Sequence, residues 1–171
     1  VCFVFVGALT SAQDFPVAND KYVNDFAGIL DESSSAELHQ LFQTVDEETT
    51  AEVVFVSLES INGSDLSQYA TELGQTWGVG KADKDNGIVI LYVSDVNKIW
   101  IATGYGVEGI LPDSKVGRLL DDYYVYYRDA GDVQAGILGF SEALSAVLIE
   151  NKEEILSGQA SGSGENQIAA T

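Results

Sequence analysis

Two apolar runs constrain the fold of this 171-residue chain more than any other feature. Residues 53–56 and 88–93 lack the alternating polar positions of a half-exposed strand, which is typical of strands buried on both faces. Between them, residues 65–77 place apolar side chains at helical spacing, and Asp65 is a suitable N-terminal cap. This order predicts a βαβ unit with two parallel strands and a right-handed crossover.

The remaining pattern adds three helices and one hairpin to that unit. Residues 33–48 read as a helix, capped either by Asp31 or by a Ser34–Glu37 capping box. A turn after residue 94 returns the chain as an antiparallel strand over 98–103. Two further helices follow, one opened by Pro112 and the other over 132–150, and the first should bury Val116, Leu119, Leu120, Tyr123 and Tyr127. We therefore expect an α/β protein, an α/β/α layered sandwich with a small mixed sheet.

The two ends of the chain differ from the middle. Residues 1–12 are apolar and close with small side chains, as in the remnant of a secretory signal peptide, although a buried strand is the alternative. Residues 157–171 are rich in serine and glycine and predict a flexible tail. The folded domain should therefore span 13–156. If the natural chain is longer, a membrane anchor could follow Thr171, and otherwise the last segment is simply a tail.

Charge and cysteine content exclude several functions. The formal net charge is −19, which opposes binding to nucleic acids or anionic membranes. The single cysteine cannot form a disulfide within the chain. His39, the only histidine, lies in the first predicted helix without other catalytic residue types around it, so we expect a surface or packing role.

Acidic side chains gather at one predicted edge of the sheet. Because the hairpin partner of strand 88–93 runs back towards the start of that strand, the loop with Asp85 and the loop with Glu108 should lie side by side. Converging carboxylates repel one another unless a cation neutralises them, and oxygen ligands suit Ca²⁺ or Mg²⁺. The candidate metal ligands are Asp83, Asp85, Glu108 and Asp113. The alternative is that these are solvated loop acids and helix caps in a chain that is acidic throughout.

Four segments resemble the TPM domain family, named for thylakoid-lumen, photosystem II repair and receptor-accessory proteins. They are residues 23–30 (VNDFAGIL), 77–80 (WGVG), 85–91 (DNGIVIL) and 101–109 (IATGYGVEG). The resemblance implies a Rossmann-like α/β/α sandwich, export from the cytoplasm to a periplasm, lumen or cell surface, and often a membrane anchor after a glycine-rich linker. Some family members are described as acid phosphatases, some bind divalent cations, and others are accessory proteins.

The resemblance also implies the positions of a cleft. Besides Asp85, Glu108 and Asp113, it places Asp25 and Asn86 around that cleft. Tyr105, in the last matching segment, is a further candidate binding residue. Arg118 would bind a phosphoryl oxygen if the protein were a phosphatase, and would otherwise pair with Asp121 or Asp122 on the surface.

Two functions of different classes follow. The first is an exported, membrane-associated module that binds a divalent cation and helps membrane protein complexes to assemble or persist. The second is a metal-assisted phosphomonoesterase, in which a cation would polarise the phosphoryl oxygens. The negative charge opposes a dianionic substrate, and no nucleophile or general base can be named, so the binding module is favoured.

Overall fold

Four strands form one mixed sheet in the computed structural model, which describes residues 14–160. They are β1 (Val23–Asp25), β2 (Glu52–Leu58), β3 (Gly87–Val93) and β4 (Lys98–Thr103), in that spatial order. β1, β2 and β3 are parallel, and β4 runs antiparallel to β3. The α/β fold class, the central parallel pair and the hairpin are therefore confirmed, whereas β1 was not predicted.

Helices cover both faces of this sheet. Their bounds are α1 (Glu32–Thr49), α2 (Leu66–Trp77), α3 (Asp113–Leu120), α4 (Tyr126–Asp129), α5 (Val133–Glu150) and α6 (Lys152–Ser157). Aspartates begin the first two: Asp31 Oδ1 accepts the Ser34 N–H at 2.8 Å, and Asp65 Oδ1 accepts the Gln68 N–H at 3.0 Å. Ser34 is buried and does not cap α1, so of the two predicted alternatives the structure uses Asp31.

The two layers around the sheet are unequal. On one face, α1, α3 and α5 pack over Phe55, Ile88 and Ile90, and this forms the larger core. On the other face, α2 packs over Val54, Val89 and their neighbours in a smaller core. The thin α2 layer leaves the ends of the sheet accessible on that side.

The two parallel crossovers have opposite hand. β1–α1–β2 and β2–α2–β3 step in the same direction across the sheet, yet α1 and α2 cover opposite faces. The side chains of Val54 and Val56 face α2, and the Glu52 N–H donates towards β3. For a strand of L-residues seen from the α2 side and running upwards, that N–H points to the right, so β3 lies to the right of β2. The crossover β2–α2–β3 is therefore right-handed, as predicted. The crossover β1–α1–β2 is then the uncommon left-handed type, and it leads from a strand of only three residues.

The predicted inward face of the third helix is wrong after its second turn. Residues Asp121–Val125 form a π-helical turn, which holds one residue more than an α-helical turn. This shift buries Tyr124, only 1% exposed, and leaves Tyr123 and Tyr127 45% and 40% exposed. Gly136 of α5 makes room for the ring, since a Cβ there would lie 3.0 Å from Tyr124 Cδ2.

The chain after α5 packs against the domain up to residue 160, where the described residues end. Ile155 of α6 is buried, Ala160 is buried, and the Gly109 N–H donates to the Ala160 carbonyl oxygen at 2.8 Å. Helix α6 was not predicted. The predicted signal-peptide remnant, 1–12, and residues 161–171 of the predicted tail lie outside the described residues, so those assignments and the domain boundaries stay predictions.

Within residues 14–160, α5 is the one helix long and apolar enough to cross a membrane by length and composition. It packs against α1 and buries Ile137, Phe140, Leu144 and Leu148 in the larger core. Core packing therefore accounts for its apolar composition.

We expect Gly74→Ala to lower the free energy of unfolding by about 1–3 kcal/mol, because overpacking forces buried atoms apart. A Cβ at Gly74 of α2 would lie 2.8 Å from Val89 Cγ2 on the central strand. Gly117→Ala in α3 is the control, since a Cβ there meets nothing within 4 Å and should raise stability by up to about 1 kcal/mol. Equal effects in urea denaturation would contradict this packing.

Candidate functional site

Two loops meet at the amino end of β3. The Gly106 N–H donates to the Asp85 carbonyl oxygen at 2.8 Å, and the Tyr105 N–H donates to Asp85 Oδ2 at 3.1 Å. The Gly104 N–H extends the β-ladder to the Gly87 carbonyl oxygen at 2.7 Å. The predicted proximity of the Asp85 loop and the glycine-rich loop before Glu108 is confirmed.

This contact requires glycine in the second loop. A Cβ at Gly104 would lie 2.2 Å from the Asp85 carbonyl oxygen, and one at Gly106 would lie 1.9 Å from the Lys84 carbonyl oxygen. Backbone atoms cannot yield as a flexible side chain can. The glycines therefore set the separation of the two loops.

The Asp85 loop is held from behind by its neighbour. Asn86 is 1% exposed; its Oδ1 accepts the Lys81 N–H at 2.9 Å, and its Nδ2 donates to the Thr50 carbonyl oxygen at 2.8 Å. Asp85 itself is exposed and adopts a left-handed backbone conformation, with φ of +48°. Asn86 thus shapes the loop, and Asp85 is presented by it.

A cavity of about 580 Å³ opens beside these loops, between α2 and the sheet. We call it the amino-edge cleft. Small and apolar residues line it on α2 and the strands, including Gly74, Val89 and Ala102. The loops contribute polar residues to its lining: Lys81, Asp85, Tyr105 and Glu108. An apolar recess with a mainly acidic loop side suits a cationic group better than an anionic one.

Besides Asn86 and Asp25, three more of the predicted site residues do not line the cleft. Asp83 is an exposed residue of the same loop as Asp85, Asp113 is the exposed first residue of α3, and Arg118 is exposed further along that helix. Within residues 14–160, no three histidine, cysteine, aspartate or glutamate side chains form a group that could hold a metal ion. Of the four predicted metal ligands, the cleft brings together Asp85 and Glu108.

Asp25 lies at the other end of the sheet. It pairs in register with Ser57, whereas Gly87 after the Asp85 loop pairs with Glu52, about 17 Å away along β2 at about 3.3 Å per residue. The Asp25 carboxylate accepts hydrogen bonds from Ser57 Oγ, from the Ile29 N–H at 3.1 Å and from the Leu30 N–H at 2.8 Å. The placement of Asp25 in the same cleft is wrong, and its contacts stabilise the turn that leads into α1.

The positive charge at the cleft is already compensated. Lys81 Nζ lies 3.3 Å from Asp46 Oδ1 and 3.7 Å from Glu52 Oε2. Lys21 and the Tyr22 hydroxyl donate to the other Asp46 oxygen. Burial disfavours the charged carboxylate, but the hydrogen bonds from Lys21, Lys81 and Tyr22 outweigh it and lower the pKa of Asp46. The acids of the cleft are therefore not neutralised by Lys81.

A second cavity, of about 810 Å³, lies at the carboxyl ends of β1 and β2. Phe26, Leu58, Ile61 and Tyr69 line it, together with the segment around Phe15. This cavity was not predicted. The signal that could have indicated it is β1 itself, because recognising that strand would have placed two parallel carboxyl ends side by side.

We expect Asp46→Asn to lower the free energy of unfolding at pH 7 by about 1–3 kcal/mol, since Lys21 and Lys81 lose their charged acceptor. Because the pKa of Asp46 is lowered in the folded protein, its charged carboxylate stabilises the fold at pH values above 3.8, the ordinary pKa of this group. This stabilisation is lost as the pH falls below that value. The difference in the free energy of unfolding between variant and parent, measured by urea denaturation, should therefore shrink below about pH 4.

Glu48→Gln provides the control for that measurement. Glu48 lies 3.6 Å from Lys152 in an exposed ion pair, so its loss should cost less than about 0.5 kcal/mol. If Asp46→Asn lowered the free energy of unfolding by the same amount from pH 7 to pH 3, the lowered pKa of Asp46 would be contradicted.

Comparison with known proteins gives one family and several similar folds. The family model described as the TPM domain matches residues 23–147, which is more than half of the chain. The N-terminal domain of a P. gingivalis protein is 28% identical, covers 78% of this chain and 85% of its own, and superposes with a TM-score of 0.73. No match to a curated protein was found.

Two more distant solved structures share the fold. The N-terminal domain of the cg2496 protein from Corynebacterium glutamicum is 14% identical, with a TM-score of 0.56 over 94% of this chain and 96% of its own. The BA42 protein from Bizionia argentinensis is also 14% identical, with a TM-score of 0.60 over 71% of this chain and 82% of its own.

Proposed function

The chain belongs to the TPM domain family, and on that premise we propose that it is a binding module whose amino-edge cleft takes a divalent cation, Ca²⁺ or Mg²⁺. We further propose that it acts outside the cytoplasm, associated with a membrane, and helps protein complexes there to assemble or persist. The family membership and the composition of residues 1–12 support this location.

One observation carries the cation proposal: Asp85 and Glu108 line the same cavity, and the lysine beside them is paired with other acids. The whole chain adds a net charge of −19, which attracts cations and repels anions at long range. A phosphate ester would meet this field without help from Arg118, which lies outside the cleft. The geometry therefore favours cation binding over phosphate-ester hydrolysis.

The ligand set determines which binding mode fits. Asp85 Oδ2 accepts the Tyr105 N–H, and no hydrogen bond among the described residues uses Asp85 Oδ1. Two carboxylates fall short of the six to eight oxygens that a protein cage supplies to Ca²⁺, but they match sites where Mg²⁺ keeps several of its waters. We therefore expect a hydrated ion and modest affinity.

Calorimetric titration with Mg²⁺ and with Ca²⁺ at physiological salt tests the proposal. We expect one site per chain, weakened about tenfold or more by Asp85→Asn, which removes a charge. Asparagine tolerates the left-handed backbone at this position and keeps an oxygen for the Tyr105 N–H, so the loop should be preserved.

Asp83→Asn is the matched control. It removes the same charge from the same loop at a residue that does not line the cleft, so it should leave affinity nearly unchanged. Equal losses for the two variants, or uptake without fixed stoichiometry, would mean that the acidic surface merely attracts counterions. Turnover of a generic phosphomonoester that EDTA abolishes and Asp85→Asn removes would instead establish the phosphatase alternative.

A further inference from the structure

We propose that the outer edge of β4 binds an extended, basic segment of another protein, which adds to the sheet as a fifth strand. β4 is the last strand of the sheet, so one of its sides has no neighbouring strand within residues 14–160. Edge strands present a row of backbone donors and acceptors, and addition of an extended peptide to such a row is a recurring mode of recognition.

The register shows which backbone groups are offered. The Gly104 N–H donates to the Gly87 carbonyl oxygen, and alternate residues of an antiparallel strand point to opposite sides. The backbone groups of Ile99, Ile101 and Thr103 therefore point outward. None of them takes part in a hydrogen bond among the described residues. Three N–H and three carbonyl groups form one half of a ladder.

The side chains beside this edge lead towards the amino-edge cleft. Trp100 projects on the α2 side of the sheet and is 41% exposed, and Ala102 follows it on the same side. Ala102, Thr103 and Gly104 are also part of the amino-edge cleft, whose opposite wall is α2. An added strand would place alternate side chains against Trp100 and then over the cleft.

Charge determines the kind of segment. At the cleft end of β4, an added strand meets Asp85 and Glu108, and Lys81, which also lines the cleft, is paired with Asp46 and Glu52. Lysine or arginine at that end of the segment would be attracted. A second copy of this chain is disfavoured because each copy carries a net charge of −19. The segment therefore belongs to a basic partner.

Amide NMR titration tests the proposal with a nine-residue peptide of alternating threonine and lysine, blocked at both ends. The titration is done in EDTA, which removes divalent cations, because the proposed strand addition does not require a bound cation. A negative result would then count against strand addition alone and not against the cation site. We expect the amides of Ile99, Ile101 and Thr103 to shift and to become protected from exchange. A peptide with glutamate in place of lysine should bind at least tenfold more weakly.

Backbone variants separate strand addition from attraction of any basic peptide. Thr103→Pro removes one outward N–H but no β3–β4 hydrogen bond, and should weaken binding about three- to tenfold. Thr103→Val keeps the N–H and should not. A peptide methylated on alternate backbone nitrogens tests the same ladder from the ligand side, and gives an answer even if Thr103→Pro does not fold.

Three results would overturn the proposal. They are equal binding of the methylated and unmethylated peptides, shifts spread over the acidic surface without protection of β4, and protection of β4 that follows protein concentration in the absence of peptide. The last would show that two copies of this chain pair through the same edge.

Discussion

Burial of β2 and β3 on both faces is the constraint on which the rest of the structure depends. Every residue of β3 is buried, and β2 is exposed in part only at Glu52. Such strands need a helical layer on each side, so α1 and α5 cover one face and α2 the other. Because α2 alone forms the second layer, and approaches through Gly74, the cleft remains open beside it. The accessible site is thus a consequence of unequal covering.

Much of the fold could be predicted because its signals are local. Residue periodicity identified β2, β3, β4 and three long helices, and Asp65 marked the start of α2. β1 was missed because three residues, of which only Val23 is apolar, carry no such signal, and its stability comes from pairing with residues 32 positions further along the chain. The π-helical turn was missed for a similar reason. Only the packing of Tyr124 against Gly136 shows that the turn is wider, and no spacing rule contains that contact.

The site was predictable to the extent that the hairpin alone determined it. Antiparallel pairing brought Asp85 beside the loop of Glu108, and the register confirms that step. Asp113 and Asp83 belong to the same stretches of chain, but nearness in sequence does not determine whether a side chain faces a cavity. The location of Asp25 could be predicted only with knowledge of β1, which places this residue at the opposite end of the sheet. Residue type identified candidates, and topology decided among them.

The opposite hands of the two crossovers have a consequence at the carboxyl edge. After β1 the chain departs towards the α1 face, and after β2 it departs towards the α2 face, so neither departing loop bridges the two adjacent strand ends. Sheets of this type hold ligands where neighbouring connections diverge in this way. The 810 Å³ cavity lies there, bounded by Phe26 and Leu58. The position of this cavity is therefore a consequence of the backbone path, while side chains such as Phe26 and Tyr69 form its surface.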